Sequence, residues 1–399
     1  MQLRPDSDFL LACARRFAGT QSADGLRARA ARVPDWESAL ELARAHGMEP
    51  LAAWYLNTDC NGMLAPQLHR RLHEVMRRTA AASLLLSAEL IKVLNILQAH
   101  HVQAVPLKGP VLAAMLCDEI AWRESCDLDL LVRRADIARA RQALCDAGYR
   151  VDSRLPPGEE NARFHWRSQL ILWREGGGPA IDLHWQLLPS LFPAARYFDS
   201  VWERLETAAF QGREMAALCP LDQLFFLCAH AARHSWHSLR QAADIARLIA
   251  VRPDLDWQGA LSAARRSDAG TVLALGLWMV NRLLLLPLPE LALRYANDMI
   301  DGKAFARKLI DRMPEATPNH YETSPEFALQ FKLAAGWWPK LRCAAGFALL
   351  PTDADGELRL PAPLFFLYYL LRPARLTAKY SARFLRRSST TGPSARGAL

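Results

Sequence analysis

Residues 127–132 read Asp127-Leu128-Asp129-Leu130-Leu131-Val132, a run of branched apolar residues that carries two carboxylates. The apolar members predict a buried β-strand, although aspartate is uncommon in strands. Side chains two apart in a strand point to the same face, with Cα atoms about 6.6 Å apart. Because neighbouring carboxylates repel each other unless a cation lies between them, Asp127 and Asp129 predict a divalent-metal site. The Asp-x-Asp pattern by itself also fits the solvated end of an ordinary strand.

A third carboxylate lies in a second β-type run. Residues 164–173 and 180–187 predict two strands, and the Gly-rich residues 175–179 between them predict a hairpin turn. Beside the first strand, Asp182 would be a third ligand for one or two Mg²⁺ ions, with Mn²⁺ as the alternative metal. His184 would lie on the same face, where it either hydrogen-bonds an aspartate, the favoured interpretation, or helps to deprotonate an acceptor.

A turn upstream of the first strand carries a lysine and a glycine. Lys108-Gly109-Pro110 follows the short β-type run 101–107, and proline favours the first turn of a helix. A helix N-terminus presents unpaired N–H groups to an anion, and Lys108 adds a positive charge, so the turn predicts a nucleotide-binding site. Arg123, in the loop that enters the first strand, either pairs with an aspartate or contacts phosphate.

The rest of the chain has mainly helical patterns. Apolar residues at helical spacing over residues 68–99, and long apolar segments at 221–250 and 261–286, predict helices on both sides of the sheet. The expected fold is α+β, with a small mixed or antiparallel sheet. The predicted regions are an N-terminal helical region (1–100), an α/β catalytic core (101–190), a C-terminal helical domain (191–350) and a basic, partly disordered tail (351–399).

The charge distribution separates the body of the protein from its tail. The net charge is +8, and residues 358–399 contain eight basic residues and no acidic ones. The body is therefore near neutral, and we expect it to bind no nucleic acid. Most of these basic residues follow the apolar run 363–371, so this part of the tail either packs as a helix with a solvated basic face or contacts an anionic membrane or a protein partner.

The cellular location and the state of the cysteines are predicted from motifs that are absent from the sequence. The eight cysteines form no C-x-x-C pair, which argues against a zinc site and a disulfide framework. The N-terminal apolar stretch 9–14 is too short for a signal peptide, and no apolar run suggests a membrane span. These patterns favour the cytoplasm.

Two histidines lie one helical turn apart in the predicted helix 221–250. His230 and His234 have a spacing that fits a zinc site, a wall of the substrate cleft or plain helix packing. Packing is favoured because no Glu-x-x-His partner or nearby cysteine completes a zinc site.

As an ordered set, these motifs resemble the bacterial uncharacterised nucleotidyltransferase family of the polymerase-β nucleotidyltransferase superfamily. The similar segments are Leu107-Lys108-Gly109 with the Leu112 helix, Arg123, residues 127–132, Ala147-Gly148-Tyr149, Ile181-Asp182-Leu183-His184-Trp185, His230, His234, Trp236, Leu239 and Asp244-Ile245. The resemblance implies that Asp127 and Asp129 are metal ligands. It implies that Asp182 is the third carboxylate, which activates the acceptor.

The implied activity is transfer of a nucleoside monophosphate (NMP) from a nucleoside triphosphate (NTP) to a hydroxyl or phosphate of a small molecule, peptide or protein. One motif departs from the superfamily, whose phosphate-binding turn is normally Gly-Ser or Gly-Gly. Here Pro110 has no backbone N–H, so Lys108 or Arg123 would replace those contacts. The alternative function is a non-catalytic, antitoxin-like binding protein that retains the fold. The intact set of three carboxylates favours the enzyme.

Overall fold

The computed structural model of the chain has an α+β fold built on a five-stranded mixed sheet, as the sequence predicted. The structure describes residues 3–151, 168–315, 323–349, 364 and 367–377. Residues 1–152 and 168–335 form one compact unit, and residues 153–167 and 336–399 form a second. The four-region organisation expected from the sequence stays a prediction.

Among the described residues, five α-helices precede the sheet, in the region 1–100 that the sequence predicted to be helical. They are α1 (Pro5–Phe17), α2 (Ala23–Ala30), α3 (Trp36–Ala45), α4 (Glu49–Asp59) and α5 (Pro66–Ala99). Side chains of Ser22 and Asp35 accept backbone N–H bonds at the first turns of α2 and α3, which satisfies donors that have no partner within the helix. On α5 the buried positions include Leu86, Leu90 and Leu97, so one face of this long helix packs on the body.

The sheet has the strand order β1-β2-β5-β4-β3. Its elements in chain order are β1 (Ala104–Pro106), α6 (Gly109–Leu116), β2 (Asp127–Val132), α7 (Ile137–Asp146), β3 (Tyr149–Val151), β4 (Gln169–Arg174) and β5 (Ala180–His184). Strands β2 and β5 are parallel, and the other neighbours are antiparallel. The predicted hairpin between β4 and β5 is confirmed, with positive φ angles at Gly176, Gly177 and Gly178. Residues 164–167 of the predicted strand 164–173 lie outside the described residues.

A second, two-stranded sheet follows, which the sequence analysis missed. It consists of β6 (Glu206–Phe210) and β7 (Arg213–Ala217), paired antiparallel. Gln211 and Gly212 between them have φ angles of +50° and +74°, which is the backbone of a tight hairpin turn. The hairpin was missed because the strands are rich in alanine and Gln-Gly is a weaker turn signal than Asn-Gly.

The sequence predicted one continuous helix over each of residues 221–250 and 261–286. Both predictions were wrong in length, because the structure has a break within each segment. The structure has α8 (Pro220–Arg233), α9 (Leu239–Val251), α10 (Trp257–Arg266) and α11 (Gly270–Leu284) in their place. The first break contains Ser235 and Trp236, both with a φ of +53°. Ser238 then starts α9 with a capping box that includes Gln241.

The remaining described helices are α12 (Glu290–Ile300), α13 (Ala304–Arg312), α14 (Thr323–Leu333) and α15 (Trp337–Leu349). The last of these belongs to the second unit, in which residues 367–377 are also helical. Arg372 lies over the ring of Phe347 there, 5.8 Å from its centroid. Residues 378–399 of the predicted basic tail lie outside the described residues, so its membrane or protein contact stays a prediction.

Helix α5 is long and apolar enough to cross a membrane, which the sequence analysis did not expect. An 18-residue window of α5 has a mean hydropathy of 1.7, and 33% of that window is buried. One such helix is weak evidence, because a core helix of a soluble protein has the same length and composition. The cytoplasmic location stays a prediction.

Candidate functional site

Strand β2 presents two carboxylates on one face of the sheet. Leu128 and Leu130 alternate with Asp127 and Asp129 and are buried on the opposite face, so the apolar side chains anchor the strand. Asp127 is half-buried, whereas Asp129 is only 5% exposed. The predicted strand and its bounds are confirmed.

The parallel pairing of β2 with β5 brings the third carboxylate to the same place. Asp129 is in register with Asp182, and Leu131 is in register with His184. Ligand atoms of Asp129, Asp182 and His184 all lie within 4.8 Å of one another, a grouping that could hold a metal ion. Asp127 shares their face of the sheet but does not belong to this group. The sequence had predicted the ligands as Asp127, Asp129 and Asp182.

Hydrogen bonds and an ion pair fix the orientation of these side chains. His184 Nε2 lies 3.0 Å from Asp129 Oδ1 and donates to it in the tautomer that carries the proton on Nε2. The ammonium of Lys108 lies 3.0 Å from Asp129 Oδ2. Gln169 Nε2, on β4, donates to Asp182 Oδ2 at 2.9 Å. The contact between His184 and an aspartate, favoured from the sequence, is confirmed.

The three carboxyl groups have different pKa shifts. Burial raises the pKa of Asp182 to about 6, and the neighbouring charge of Asp129 contributes. Burial and Asp129 also raise the pKa of Asp127, against the opposing effect of Lys108. Burial alone would raise the pKa of Asp129, but Lys108 and the hydrogen bond from His184 hold it well below its usual range. One ionised carboxylate therefore lies beside two that resist ionisation.

The Lys108-Gly109 turn packs against the strand that carries Asp127. Gly109 has a φ of +67°, and a side chain there would place its Cβ 3.4 Å from the carbonyl oxygen of Asp127. The turn therefore needs glycine. The predicted strand-to-helix turn is confirmed, with Lys108 as the N-cap, Gly109 as the first residue of α6 and Pro110 in its first turn. The nucleotide-binding roles of Lys108 and Gly109 stay predictions.

Arg123 forms a buried ion pair with Asp244 and not with an aspartate of the sheet. Its Nε and one terminal nitrogen donate to both carboxylate oxygens of Asp244, on α9, at 3.0 to 3.2 Å. The other terminal nitrogen, NH1, donates to Ser125 at 3.1 Å. The sequence left two interpretations open for Arg123, a pair with an aspartate or a contact with phosphate. In the structure Arg123 pairs with an aspartate, but this aspartate lies on α9 and not in the sheet. The nucleotide-binding role of Arg123 stays a prediction.

The rings of His230 and His234 lie side by side at the end of α8, tilted by 57° to each other. Their ring centroids are 4.6 Å apart. Burial lowers the pKa of His230 well below its ordinary value, and the positive charge of Lys108 contributes. His230 is therefore close enough to the Lys108 turn to share its electrostatic environment. Its predicted place in a substrate cleft stays a prediction, as does that of His234.

Two residues of the site were not predicted. Gln169 was missed because an amide in a short strand gives no sequence signal, and only the pairing of β4 with β5 brings it to Asp182. Arg240 lies at i, i+4 spacing from Asp244, which is typical of a surface ion pair, but in the structure Asp244 pairs with Arg123. The charge of Arg240 instead lowers the pKa of Asp127.

These features define an α+β protein whose mixed sheet presents a buried Asp-Asp-His cluster that could bind a metal ion. The chain belongs to the family described as uncharacterised nucleotidyltransferase, whose family model matches residues 33–285. The match includes the five-stranded sheet, α8, α9 and every residue of the site described above. No curated protein matches the chain.

Proposed function

We propose that the protein is a divalent-metal-dependent nucleotidyltransferase that moves an NMP group from an NTP to a hydroxyl or phosphate acceptor. The observation that carries the proposal is the register of Asp129 with Asp182 on parallel neighbouring strands, within a family of nucleotidyltransferases. Two carboxylates held side by side in a partly buried site have little structural benefit for a protein that only binds partners.

The donor set fits a hard divalent cation. Asp129 and Asp182 supply oxygen ligands, and Asp127 lies on the same face of the sheet. Burial, and then the neighbouring charge of Asp129, raise the pKa of Asp182, and a bound cation would oppose both effects. Mg²⁺ held by Asp127, Asp129 and Asp182 would neutralise phosphate charge and lower the pKa of the acceptor hydroxyl.

The chain's own residues account for the other parts of the reaction. Asp182, which lies in register with Asp129, accepts the proton of the acceptor hydroxyl. The acceptor oxygen bonds to the α-phosphorus as the bond from that phosphorus to the α,β-bridging oxygen breaks, and pyrophosphate leaves. Lys108 stabilises the phosphate charge from the N-terminus of α6. His184 orients Asp129 through its hydrogen bond.

The first test measures nucleotide binding and cleavage. With Mg²⁺ and each of ATP, GTP, CTP and UTP, at least one nucleotide should raise the thermal midpoint of the wild type, and EDTA should abolish the increase. Pyrophosphate release from that nucleotide, with water as the acceptor, should fall by about 100-fold or more in Asp129→Asn and Asp182→Asn. Asp298→Asn, which changes an exposed carboxylate on α12, is the matched control.

Two results would contradict the proposal. One is a wild type whose midpoint is unaffected by every NTP with Mg²⁺. The other is a set of variants in which Asp129→Asn, Asp182→Asn and Asp298→Asn behave alike. Nucleotide binding without pyrophosphate release would instead favour the antitoxin-like binding protein.

A further inference from the structure

Arg240 lies on the side of the site formed by helix α9, and its position is fixed by backbone groups. Its NH1 donates to the carbonyl oxygen of Glu124 at 2.9 Å, in the loop that leads into β2. The guanidinium also lies against Gly47, where a Cβ would be only 3.0 Å from the guanidinium carbon. Gly47 has a φ of +65° and leaves room for the arginine. The side chain is therefore held in place from two separate elements.

The charge of Arg240 has no paired carboxylate in the part of the chain that the structure describes. Arg123 lies close by and is paired with Asp244, whereas Arg240 forms no ion pair with a described acidic residue. Its one side-chain hydrogen bond to a described residue is the bond to Glu124, so most of its N–H donors remain available. Burial and the positive charge of Arg123 both lower the pKa of Arg240. A half-buried guanidinium in this setting is stabilised by an anion.

Cations from two different helices lie beside the strand that carries the carboxylates. Lys108, at the start of α6, is 3.0 Å from Asp129 Oδ2. Arg240, near the start of α9, donates to the carbonyl oxygen of Glu124, three residues before Asp127. An anion that binds at these carboxylates therefore meets positive charge from both helices. A guanidinium can bind two oxygens of one phosphate in parallel, which an ammonium cannot.

We propose that Arg240 binds the polyphosphate of the nucleotide, contacting the phosphates beyond the α-phosphate. This inference rests on the proposed function, and it names the residue that distinguishes a nucleoside triphosphate from a monophosphate. It also assigns to Arg240 the phosphate contact that the sequence had assigned to Arg123. The helical segment after the sheet thereby takes part in substrate binding.

Isothermal titration with Mg²⁺ and the NTP that binds the wild type most tightly tests the inference. Arg240→Gln should weaken the affinity for this nucleotide by about 30-fold, the usual loss for a charge-assisted contact. Its affinity for the corresponding nucleoside monophosphate should change by less than about twofold. Arg240→Lys should give a smaller loss of about five- to tenfold, because the charge remains but the two-pronged contact is lost.

Arg247→Gln is the matched control. Arg247 lies on α9, donates to the carbonyl of Leu116 at 2.8 Å and lies over the ring of Phe17, so its loss also removes a charge and a backbone contact. It should leave both affinities unchanged. Circular dichroism and the thermal midpoint establish that each variant is folded, and if Arg240→Gln is unfolded, Arg240→Lys decides the question.

The inference and the proposed function fail in different ways. Wild-type affinity for the triphosphate in Arg240→Gln, or in Arg240→Lys where only that variant folds, would overturn the inference alone. Equal losses for triphosphate and monophosphate would overturn it too, since they indicate general damage to the site. A wild type that binds no NTP would overturn the proposed function first.

Discussion

Asp129 and Asp182 lie side by side on neighbouring strands, yet their surroundings shift their pKa values in opposite directions. Lys108 and His184 both contact Asp129, which holds its pKa low. Asp182 has an amide partner, Gln169, and burial raises its pKa to about 6. The sequence predicted that the carboxylates would converge. It could not predict which one would be difficult to ionise, because that depends on which side chains the neighbouring strands and turn supply.

The raised pKa of Asp182 predicts an effect on stability. The folded-state pKa of about 6 exceeds the ordinary value of 3.8, so the native state binds this proton more tightly than the unfolded chain does. The free energy of unfolding therefore falls as pH rises between these two values, and the charged carboxylate costs stability above them. In EDTA at pH 7.5, Asp182→Asn should raise the free energy of unfolding by about 1–2 kcal/mol, a figure reduced for partial exposure.

Urea denaturation of wild type and variant measures this gain. At pH 4.5 it should be smaller, because the wild-type carboxyl is then mostly protonated in the native state. Asp298→Asn, at an exposed carboxylate on α12, is the control. A variant less stable than wild type at both pH values would be inconsistent with a destabilising charge at this position.

At the scale of elements, the connection between α8 and α9 determines where the histidines and Arg240 lie. Apolar periodicity through residues 221–250 suggested one continuous helix, but Ser235 and Trp236 both adopt the left-handed backbone conformation. Single-residue propensity does not predict this conformation for serine or tryptophan. Tertiary packing enforces it, since the side chain of Trp236 is only 1% exposed. The break redirects the chain, and α9 then begins at the Ser238 cap.

Strain at this break predicts that Ser235→Gly stabilises the protein. Glycine adopts a φ of +53° without steric cost, and the buried Ser235 Oγ has no hydrogen-bond partner among the described residues. Relief of the backbone strain should raise the free energy of unfolding, and the greater entropy of the unfolded chain with glycine should offset part of this gain. The net gain should be about 0.5–1 kcal/mol. Urea denaturation at neutral pH measures it.

Ser238→Ala, three residues further on, should have the opposite sign. Its hydroxyl accepts from the Arg240 backbone N–H at 3.2 Å and donates to the carbonyl of His46 at 2.5 Å. Loss of this cap should cost about 1–2 kcal/mol. If both substitutions destabilised the protein to a similar extent, strain at Ser235 would be the wrong explanation.

At the scale of the whole molecule, a buried ion pair connects the sheet to the helices that follow it. Arg123 precedes β2, Asp244 lies on α9, and their side chains are 8% and 6% exposed. Both residues belong to the first compact unit. The two residues are 121 positions apart in the sequence, so their ion pair holds α9 against the loop that enters β2.

Removal of one partner should be far more damaging than removal of both. Arg123→Met should cost about 3–5 kcal/mol, because it leaves the buried Asp244 carboxylate without its counter-charge. The double variant Arg123→Met with Asp244→Leu should recover most of that loss, as measured by urea denaturation. The same cycle on the exposed pair Arg252 and Asp254 should change stability little.

The double variant also tests the nucleotide-binding role predicted for Arg123. Wild-type affinity for the NTP in a folded double variant would exclude that role. The losses of unfolding free energy in the two single variants could also simply add in the double variant. That result would show that Arg123 and Asp244 have no specific interaction.

The sequence by itself determined the strand with Asp127 and Asp129, the hairpin with Asp182 and the Lys108-Gly109 turn, because local patterns of period and turn chemistry specify these elements. Only the tertiary structure decided that β5 lies parallel beside β2 and that Asp244 pairs with Arg123. It also decided that Arg240 lies near the carboxylates without an ion-pair partner among the described residues. Pairing between strands and helices distant in sequence depends on how the whole apolar surface is buried. No short segment contains that information.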